Sequence, residues 1–294
     1  MIIALRTAVP CAAAVLAVAL STSCGSSTGP VPTIYPDTGT MFVRNGPITL
    51  AGTLDLPSGP GPFPLMIFVT GSGRTTRESD RPAVDIAVPQ GIAVFRYDKR
   101  GLGQSTGTFE EVSTANSNQV LADRASDVTA IVEYLAGHPK IRGGQIFLWG
   151  TSQGAWVAPL VAAQTTRLAF IICVMGGGSS VGTVIEYGRI GQDASVSIDE
   201  MTRRVSAFAG PFGYDPISTI TALKLPALWL YGGQDRFTPT QLDIPRIEAL
   251  KKTNVAVKLF PRMNHDMLDV DTKGFPATFF QEVFSWANPL LGRR

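Results

Sequence analysis

The sequence predicts an α/β protein with a mostly parallel β-sheet that is covered by helices on both faces. Short, almost wholly apolar runs recur along the chain, as expected for strands that are buried on both faces. Segments with an apolar residue at every third or fourth position lie between these runs, which is helical periodicity. Strand and helix in alternation favour a parallel sheet, because right-handed crossovers return each strand in the same direction. The carboxyl ends of the strands then meet at one edge, where ligands bind.

The N-terminal segment has the pattern of a signal peptide. A single cation, Arg6, precedes an uncharged run of small apolar residues from Thr7 to Leu20. This run is too short and too rich in alanine for a membrane span, although a weak membrane anchor is the alternative. We therefore predict a signal peptide over residues 1–24, export of the protein, and a flexible linker of Ser, Thr, Gly and Pro over 25–39.

Cys24 is followed by Gly25 and two serines, an arrangement that resembles the acceptor cysteine of bacterial lipoproteins. The resemblance implies a lipid-modified cysteine on a polar tether, which would be the only link to a membrane. The lipoprotein pattern prefers leucine three residues before the cysteine, whereas Ser21 stands there. Two locations are therefore open: the cell envelope, through a lipid anchor, or the medium, as a secreted protein.

The folded domain is predicted to span residues 40–294. Two short runs open it, six apolar strands follow, and the clearest helix covers 116–137. The predicted strands are 41–44, 48–56, 65–70, 92–97, 145–150, 168–174, 227–232 and 255–260.

One long segment, from about 176 to 222, interrupts this alternation of strand and helix. Part of it, 198–210, has a helical pattern. An insertion between two strands of such a sheet lies over the ligand edge, so we predict a lid; a plain surface excursion is the alternative.

The composition argues against several classes of partner. Lys and Arg number 25 against 23 Asp and Glu, without a basic stripe interleaved with aromatic residues, so no nucleic-acid partner is expected. The glycines in 97–107 lack the spacing of a dinucleotide fingerprint, and no phosphate-binding loop is present, so no cofactor is expected. Cys173 is the one cysteine after the predicted signal peptide, which excludes an intramolecular disulfide and a cysteine-based metal site there.

The sequence GTSQG over residues 150–154 directly follows an apolar strand and precedes AWVAPLVAA, which is typical of a packed helix. Flanking glycines allow a sharp turn from strand to helix that holds the central serine above the sheet. This context predicts that Ser152 is a nucleophile rather than an ordinary serine in a glycine-rich turn.

A serine nucleophile needs a base and an orienting carboxylate. His265 lies in the loop after the last strand, at the edge of the sheet that Ser152 occupies, whereas His138 lies at a helix end near the opposite edge. We predict His265 as the base and His138 as a helix-terminal or solvent-facing residue. Asp235 follows the preceding strand and is the predicted carboxylate, with a loop-capping role as its alternative. Asp266 is a weaker candidate, since adjacent side chains point apart.

Acyl transfer also needs two backbone N–H groups that receive an oxyanion. The residue after the nucleophile, Gln153, is expected to supply one. The second is expected from the loop after the strand 65–70, where small residues let the backbone approach a substrate. We favour Ser72, with Gly71 or Gly73 as alternatives; a purely structural glycine turn is the other interpretation.

Gly71, Trp156 and Met175 are candidates for the substrate pocket, although the last two have the pattern of core residues as well. The charged residues 98–100 are predicted to belong to a tight turn held by a carboxylate–guanidinium pair rather than to the site.

Two motifs carry a resemblance to a known family: TGSGRTTRESD at 70–80 and YDKRGLGQSTG at 97–107. The chain resembles the serine α/β-hydrolase superfamily, and within it a bacterial exported esterase-like branch with GSG after the third strand and YDKRGxGxS after the fourth. The resemblance covers about residues 40–290 and implies the α/β-hydrolase fold, with an eight-stranded sheet. Thr70 stands where the superfamily often has histidine.

These observations lead us to expect an exported serine hydrolase that cleaves a small-molecule carboxylic ester through an acyl-enzyme on Ser152, without a metal. The resemblance implies the triad Ser152, Asp235 and His265, which are also the three residues predicted above from their positions after the strands. A thioesterase or a peptidase with the same triad is the alternative within this class. A cell-surface binding protein that keeps the fold without catalysis is the alternative from another class.

Overall fold

The computed structural model describes residues 39–276 and 278–293. The predicted signal peptide, Cys24 and all but the last residue of the predicted linker lie outside these residues, so the predictions of export and lipidation are not tested by the fold. Within the described part of the chain, no helix is long and apolar enough to cross a bilayer.

Eight strands form one mixed sheet, with the spatial order β1-β2-β4-β3-β5-β6-β7-β8. The second strand runs antiparallel to both of its neighbours, and every pair from β4 to β8 is parallel. The predicted mostly parallel, eight-stranded sheet is therefore confirmed. The strands are β1 (Met41–Asn45), β2 (Ile48–Asp55), β3 (Phe63–Val69), β4 (Ala93–Tyr97), β5 (Ile141–Thr151), β6 (Leu168–Val174), β7 (Ala227–Gly232) and β8 (Val255–Phe260).

Eight α-helices accompany these strands in the described residues. The predicted helix 116–137 is α2, and the apolar segment after GTSQG is α3. The helices are α1 (Arg81–Ala87), α2 (Ser117–Ala136), α3 (Gly154–Ala162), α4 (Val181–Gly191), α5 (Ile198–Ser206), α6 (Ile217–Ala222), α7 (Thr240–Glu248) and α8 (Phe279–Leu290).

Both faces of the sheet are covered because successive residues of each central strand point to opposite sides. In β5, Ile146 and Leu148 join the core beneath α2 and α3, whereas Phe147 and Trp149 join the core beneath α1 and α8. The buried stretch Ile146–Trp149 of β5 is therefore apolar at every position, which is the pattern that predicted such strands.

The strand at 255–260 is present, but the prediction that it is buried on both faces is wrong. β8 lies at the edge of the sheet, and five of its six residues are half-buried or exposed. Lys258 is accommodated there because it reaches Glu282 of α8 at 2.9 Å, and Leu259 is 47% exposed.

The segment predicted as an insertion contains α4, α5 and α6, between β6 and β7. A small apolar cluster that includes Tyr187 and Met201 joins α4 to α5. The guanidinium of Arg236 donates hydrogen bonds to backbone carbonyls of this segment, including that of Gly191 at 3.1 Å and that of Asp193 at 2.7 Å. These bonds tie the segment to the loop after β7. Its role as a lid stays a prediction.

Candidate active site

Ser152 lies at the sharp turn between β5 and α3, above the carboxyl edge of the sheet. Its φ is +54°, in the left-handed region that a non-glycine residue rarely adopts. The flanking glycines permit this turn, because the backbones come very close there. A Cβ on Gly154 would lie 2.0 Å from the carbonyl oxygen of Val69, and one on Gly150 would lie 2.4 Å from the carbonyl oxygen of Gly154. No residue other than glycine fits either position without displacing backbone.

A continuous hydrogen-bonded chain joins Ser152, His265 and Asp235. The Ser152 Oγ lies 3.1 Å from Nε2 of His265, and Nδ1 of the same imidazole lies 2.8 Å from Oδ2 of Asp235. The three residues follow β5, β8 and β7, whose carboxyl ends meet at this edge. The structure thus brings together the three side chains that the sequence selected.

The carboxylate of Asp235 is fixed on its other side by the backbone. Its Oδ1 accepts hydrogen bonds from the N–H groups of Phe237 at 2.7 Å and Thr238 at 2.9 Å. The Thr238 hydroxyl donates to the carbonyl of Met175 at 2.9 Å and lies 3.4 Å from Nδ1 of His265. Thr238 was not among the residues predicted from the sequence. The signal that could have found it is its place three residues after Asp235, where an aspartate side chain commonly accepts from a backbone N–H.

Two opposing effects act on the pKa of the His265 imidazole. Burial lowers the pKa, but the hydrogen bond of the imidazole to Asp235 and the charges of Asp235 and Asp266 raise it, and the net result lies above the ordinary value. The side chain of His265 keeps 20% of its surface exposed. Asp266, the weaker candidate for the orienting carboxylate, acts on the imidazole through its charge.

Two backbone donors beside Ser152 are unused: the N–H groups of Ser72 and Gln153 donate to no acceptor within the described residues. By contrast, the N–H of Gly73 donates to Oε1 of Glu111 at 3.1 Å. α3 begins directly after Gln153, so the positive end of its dipole faces the same point. Of the donors considered from sequence, Ser72 and Gln153 are placed to receive negative charge, whereas Gly73 is turned toward a carboxylate.

Ser152 opens into a cavity of about 250 Å³. Of the three residues predicted for a substrate pocket, Trp156 and Met175 line this cavity, whereas Gly71 packs against Ser152, where a Cβ would lie 3.2 Å from that of the serine. The indole N–H of Trp156 donates to the carbonyl of Ser179 at 3.0 Å, which fixes the ring. Other side chains of the wall come from the loop before α2 and from α4: Glu111, Val112, Val181, Val184 and Ile185.

His138 is not part of this site, and of its two predicted roles, helix-terminal or solvent-facing, the structure shows the first. It follows α2 at the opposite edge of the sheet and is only 7% exposed. Its Nδ1 accepts a hydrogen bond from the N–H of Lys140 at 3.1 Å. His138 is thus a buried histidine at the end of α2.

The charged turn at 98–100 contains the expected carboxylate and guanidinium, but they do not pair with each other. Asp98 pairs with Arg77, and Arg100 pairs with Asp127 of α2, both at 2.8 Å. The turn itself is closed by the N–H of Gln104, which donates to Asp98 at 2.9 Å. The prediction of a local ion pair is therefore wrong, since packing against α2 supplies the partner.

A model of the family described as X-Pro dipeptidyl-peptidase (S15 family) matches residues 46–209, more than half of the chain. The matched region contains Ser152, Ser72 and Gln153 and ends before Asp235 and His265.

Two curated relatives are esterases or thioesterases by name. Esterase EstD of Thermotoga maritima is 24% identical over 263 residues, which cover 79% of this chain and 61% of that protein. The mitochondrial acyl-coenzyme A thioesterase 2 of Rattus norvegicus is 27% identical over 147 residues, which cover 49% of this chain and 28% of that protein. The chain thus spans less than two thirds of the length of either relative.

Solved structures share the fold at low identity. The α/β-hydrolase GrgF from Penicillium sp. sh18 matches with a TM-score of 0.63 and 18% identity, over 86% of this chain and 98% of that one. An esterase of Pyrococcus furiosus matches with a TM-score of 0.60 and 16% identity, over 87% of this chain and 90% of that one. These likenesses and the sheet order confirm the predicted α/β-hydrolase fold.

Proposed function

The chain belongs to the X-Pro dipeptidyl-peptidase (S15) family of serine hydrolases, and from that premise we propose that it hydrolyses carboxylic esters through an acyl-enzyme on Ser152. The observation that carries the proposal is the hydrogen-bonded chain from Ser152 Oγ through His265 to Asp235, with spacings of 3.1 and 2.8 Å. Ester cleavage is further supported by the relative named Esterase EstD, whose match covers 79% of this chain.

In the acylation step, Nε2 of His265 takes the proton from Ser152 as Oγ attacks the ester carbonyl carbon. The carbonyl π-bond breaks, and the oxyanion receives hydrogen bonds from the N–H groups of Gln153 and Ser72. The C–O bond to the alcohol then breaks, and the imidazolium gives its proton to the leaving oxygen. The acyl group remains on Ser152.

Deacylation repeats these steps with water. His265 takes a proton from water, the hydroxide oxygen attacks the acyl carbon, and the same N–H groups hold the second oxyanion. The bond to Ser152 Oγ breaks, the imidazolium returns the proton to it, and the carboxylic acid leaves. Asp235 holds Nδ1 protonated throughout and stabilises the imidazolium.

A thioester is the second candidate substrate, favoured by the relatives that are named acyl-coenzyme A thioesterases. The same triad acts on both bonds, and a thiolate leaves without the protonation that an alcohol needs. The family description names peptide cleavage. In that reaction the imidazolium of His265 must protonate the leaving amine before the C–N bond can break.

The test is covalent labelling with a fluorophosphonate, followed by mass-spectrometric mapping of the modified peptide. We expect one label on Ser152 in the wild type and none in Ser152→Ala or His265→Ala. Ser195→Ala is the matched control, because Ser195 is an exposed serine in the segment between β6 and β7. Initial rates on an ester, a thioester and an X-Pro amide with a common acyl group then rank the substrates.

A folded wild-type protein that takes up no label and hydrolyses none of these substrates would refute the assignment and favour the binding-protein alternative. A rate ranking led by the X-Pro amide or the thioester would keep Ser152 as the nucleophile and replace the ester as the substrate. Melting curves of all variants separate loss of chemistry from loss of fold.

We also propose that the enzyme is exported. The support is the apolar segment before Cys24, which lies outside the described residues. The mass of the mature N-terminus decides between a lipid-modified Cys24 and cleavage by the ordinary signal peptidase. An intact Met1 in the envelope or medium fraction would contradict both routes.

A further inference from the structure

Lys99 is a buried lysine behind the loop that carries Ser72. Only 4% of it is exposed. Its ammonium donates hydrogen bonds to the carbonyl oxygen of Gly71 at 2.5 Å and to that of Gly73 at 2.8 Å. A buried ammonium costs several kcal/mol unless its donors are satisfied, so this arrangement holds the loop firmly against Lys99.

We propose that Lys99 is a positioning residue that fixes the Gly71–Ser72 peptide so that the N–H of Ser72 serves as an oxyanion donor. The proposal rests on the proposed function, because an oxyanion forms only if Ser152 attacks an acyl group. Lys99 itself does not line the cavity that holds Ser152. It acts through the peptide that it binds.

The geometry of a trans peptide gives the reason. The carbonyl of Gly71 and the N–H of Ser72 belong to one planar unit and point in opposite directions. When Lys99 holds the carbonyl on one side, the N–H is directed to the other, where Ser72 lines the cavity. A cation on the carbonyl also polarises the peptide and makes its N–H a stronger donor.

Gly73, the residue after Ser72, is held through both its N–H and its carbonyl. The N–H of Gly73 donates to Oε1 of Glu111 at 3.1 Å, and the carbonyl of Gly73 accepts from Lys99. The loop is thus anchored on both sides of Ser72, and the N–H of Ser72 is left free for a ligand among the described residues. Three consecutive small residues, 71–73, cannot hold such a conformation by side-chain packing of their own.

The charges around Lys99 come from several segments of the chain. Asp80, just before α1, and Glu111, before α2, favour the ammonium, whereas Arg124 of α2 and burial disfavour it. Lys99, Arg74 and Arg124 all lie near the ring of Phe109, at 5.9, 5.1 and 5.5 Å from its centroid. The neighbouring carboxylate of Asp98 is paired elsewhere, with Arg77.

Burial, with the charge of Arg124, lowers the pKa of Lys99 to about 8. Below this value the ammonium holds both carbonyls. Above it, the neutral amine retains at most two weaker donors, and the polarisation of the peptide is lost. Positioning by Lys99 therefore predicts a decline in the rate of acyl transfer as the pH rises through about 8.

The test compares Lys99→Met and Lys99→Arg with the matched control Lys140→Met. Lys140 is an exposed lysine that also donates to a backbone carbonyl, that of Pro60 at 3.1 Å, but it precedes β5 and so lies at the opposite edge of the sheet. We expect Lys99→Met to lower kcat and the phosphonylation rate of Ser152 by roughly 10- to 100-fold, with KM changed less than about twofold. Lys140→Met should match the wild type.

The pH profile adds a readout that a merely structural role would not move. We expect the phosphonylation rate of the wild type to fall through about pH 8, and that of Lys99→Arg, whose guanidinium keeps its charge, to stay level there. If Lys99→Met does not fold, the pH profiles of the wild type and Lys99→Arg decide whether Lys99 has the positioning role. A wild-type rate that is constant across the two pH units centred on about 8 overturns the proposal.

Two outcomes separate this proposal from the proposed function. If Ser152→Ala abolishes activity while Lys99→Met equals Lys140→Met, the positioning role is wrong and the serine hydrolase stands. If the wild type itself takes up no label and cleaves no acyl substrate, both fail. A fall in kcat that is confined to Lys99→Met, together with the alkaline decline of the wild type, supports the role.

Discussion

Nδ1 of His265 lies 2.8 Å from Oδ2 of Asp235, a residue that is 1% exposed and whose other carboxylate oxygen is held by two backbone N–H groups. A carboxylate held in this way cannot turn aside, so it fixes one tautomer of the imidazole. The proton stays on Nδ1, and the lone pair of Nε2 faces Ser152 Oγ at 3.1 Å.

Asp235→Asn should therefore lower kcat/KM for an ester by roughly 10³- to 10⁴-fold, because an amide at this position favours the wrong tautomer and gives the imidazolium no countercharge. The measurement is kcat/KM beside the melting temperature. Asp266→Asn is the control, since it removes an exposed carboxylate from the neighbouring position. Equal losses in the two variants would mean that general charge, not the Asp235 hydrogen bond, supports His265.

The pH dependence of kcat/KM should show an acid limb that belongs to His265. The net effect of its surroundings raises the pKa of this imidazole above its ordinary value of 6.5. Only the neutral imidazole accepts the serine proton, so activity is present above that pKa and lost as the pH falls through it.

In Asp266→Asn, the acid limb should move to lower pH, because the charge of Asp266 is one of the causes that raise the pKa of His265. The measurement is kcat/KM against pH for both proteins with one ester. A limb that does not move, or that moves to higher pH, would contradict the assignment of this limb to His265.

Much of the sheet and the central part of the site followed from the sequence for one physical reason. In a parallel sheet that is buried on both faces, each strand is a continuous apolar run, so the ends of β5, β7 and β8 are visible as the points where polar residues begin. Ser152, Asp235 and His265 stand just after those ends, and parallel strands bring such positions to one edge.

The wall of the cavity and the environment of Lys99 did not follow, because both depend on packing between distant segments. Nothing local in YDKRG shows that the lysine turns back to the carbonyls of Gly71 and Gly73. The burial of His138 and the half-exposed faces of β8 were missed for the same reason, since each reflects the position of a segment in the sheet. An apolar sequence pattern identifies a strand but does not show whether that strand lies at the centre or at the edge of the sheet.

Replacing Ser152 by glycine should stabilise the fold relative to replacing it by alanine. A φ of +54° costs a residue with a Cβ about 1–2 kcal/mol, whereas glycine adopts it freely and loses about 0.5–1 kcal/mol to the entropy of its unfolded state. Ser152→Gly should thus exceed Ser152→Ala by about 1 kcal/mol in the free energy of unfolding.

Urea denaturation of these two inactive variants measures the difference. The same pair of substitutions at Ser195 supplies the reference, because Ser195 is exposed and does not have positive φ. An unfolding free energy of Ser152→Ala equal to or above that of Ser152→Gly would show that the turn stores no such strain.

Ile185 should contribute to the selectivity for acyl chain length. It lines the cavity that contains Ser152, yet 49% of it is exposed, so it has apolar surface that a chain can cover. Each methylene buried on binding contributes about 0.8 kcal/mol, or roughly fourfold in kcat/KM. We expect Ile185→Ala to lower the ratio of kcat/KM for an octanoyl ester to that for an acetyl ester of the same alcohol by about fourfold or more.

Leu259→Ala is the control, because Leu259 is 47% exposed on β8 and does not line the cavity. An unchanged ratio in Ile185→Ala, or an equal drop in Leu259→Ala, would mean that the acyl chain does not lie against α4.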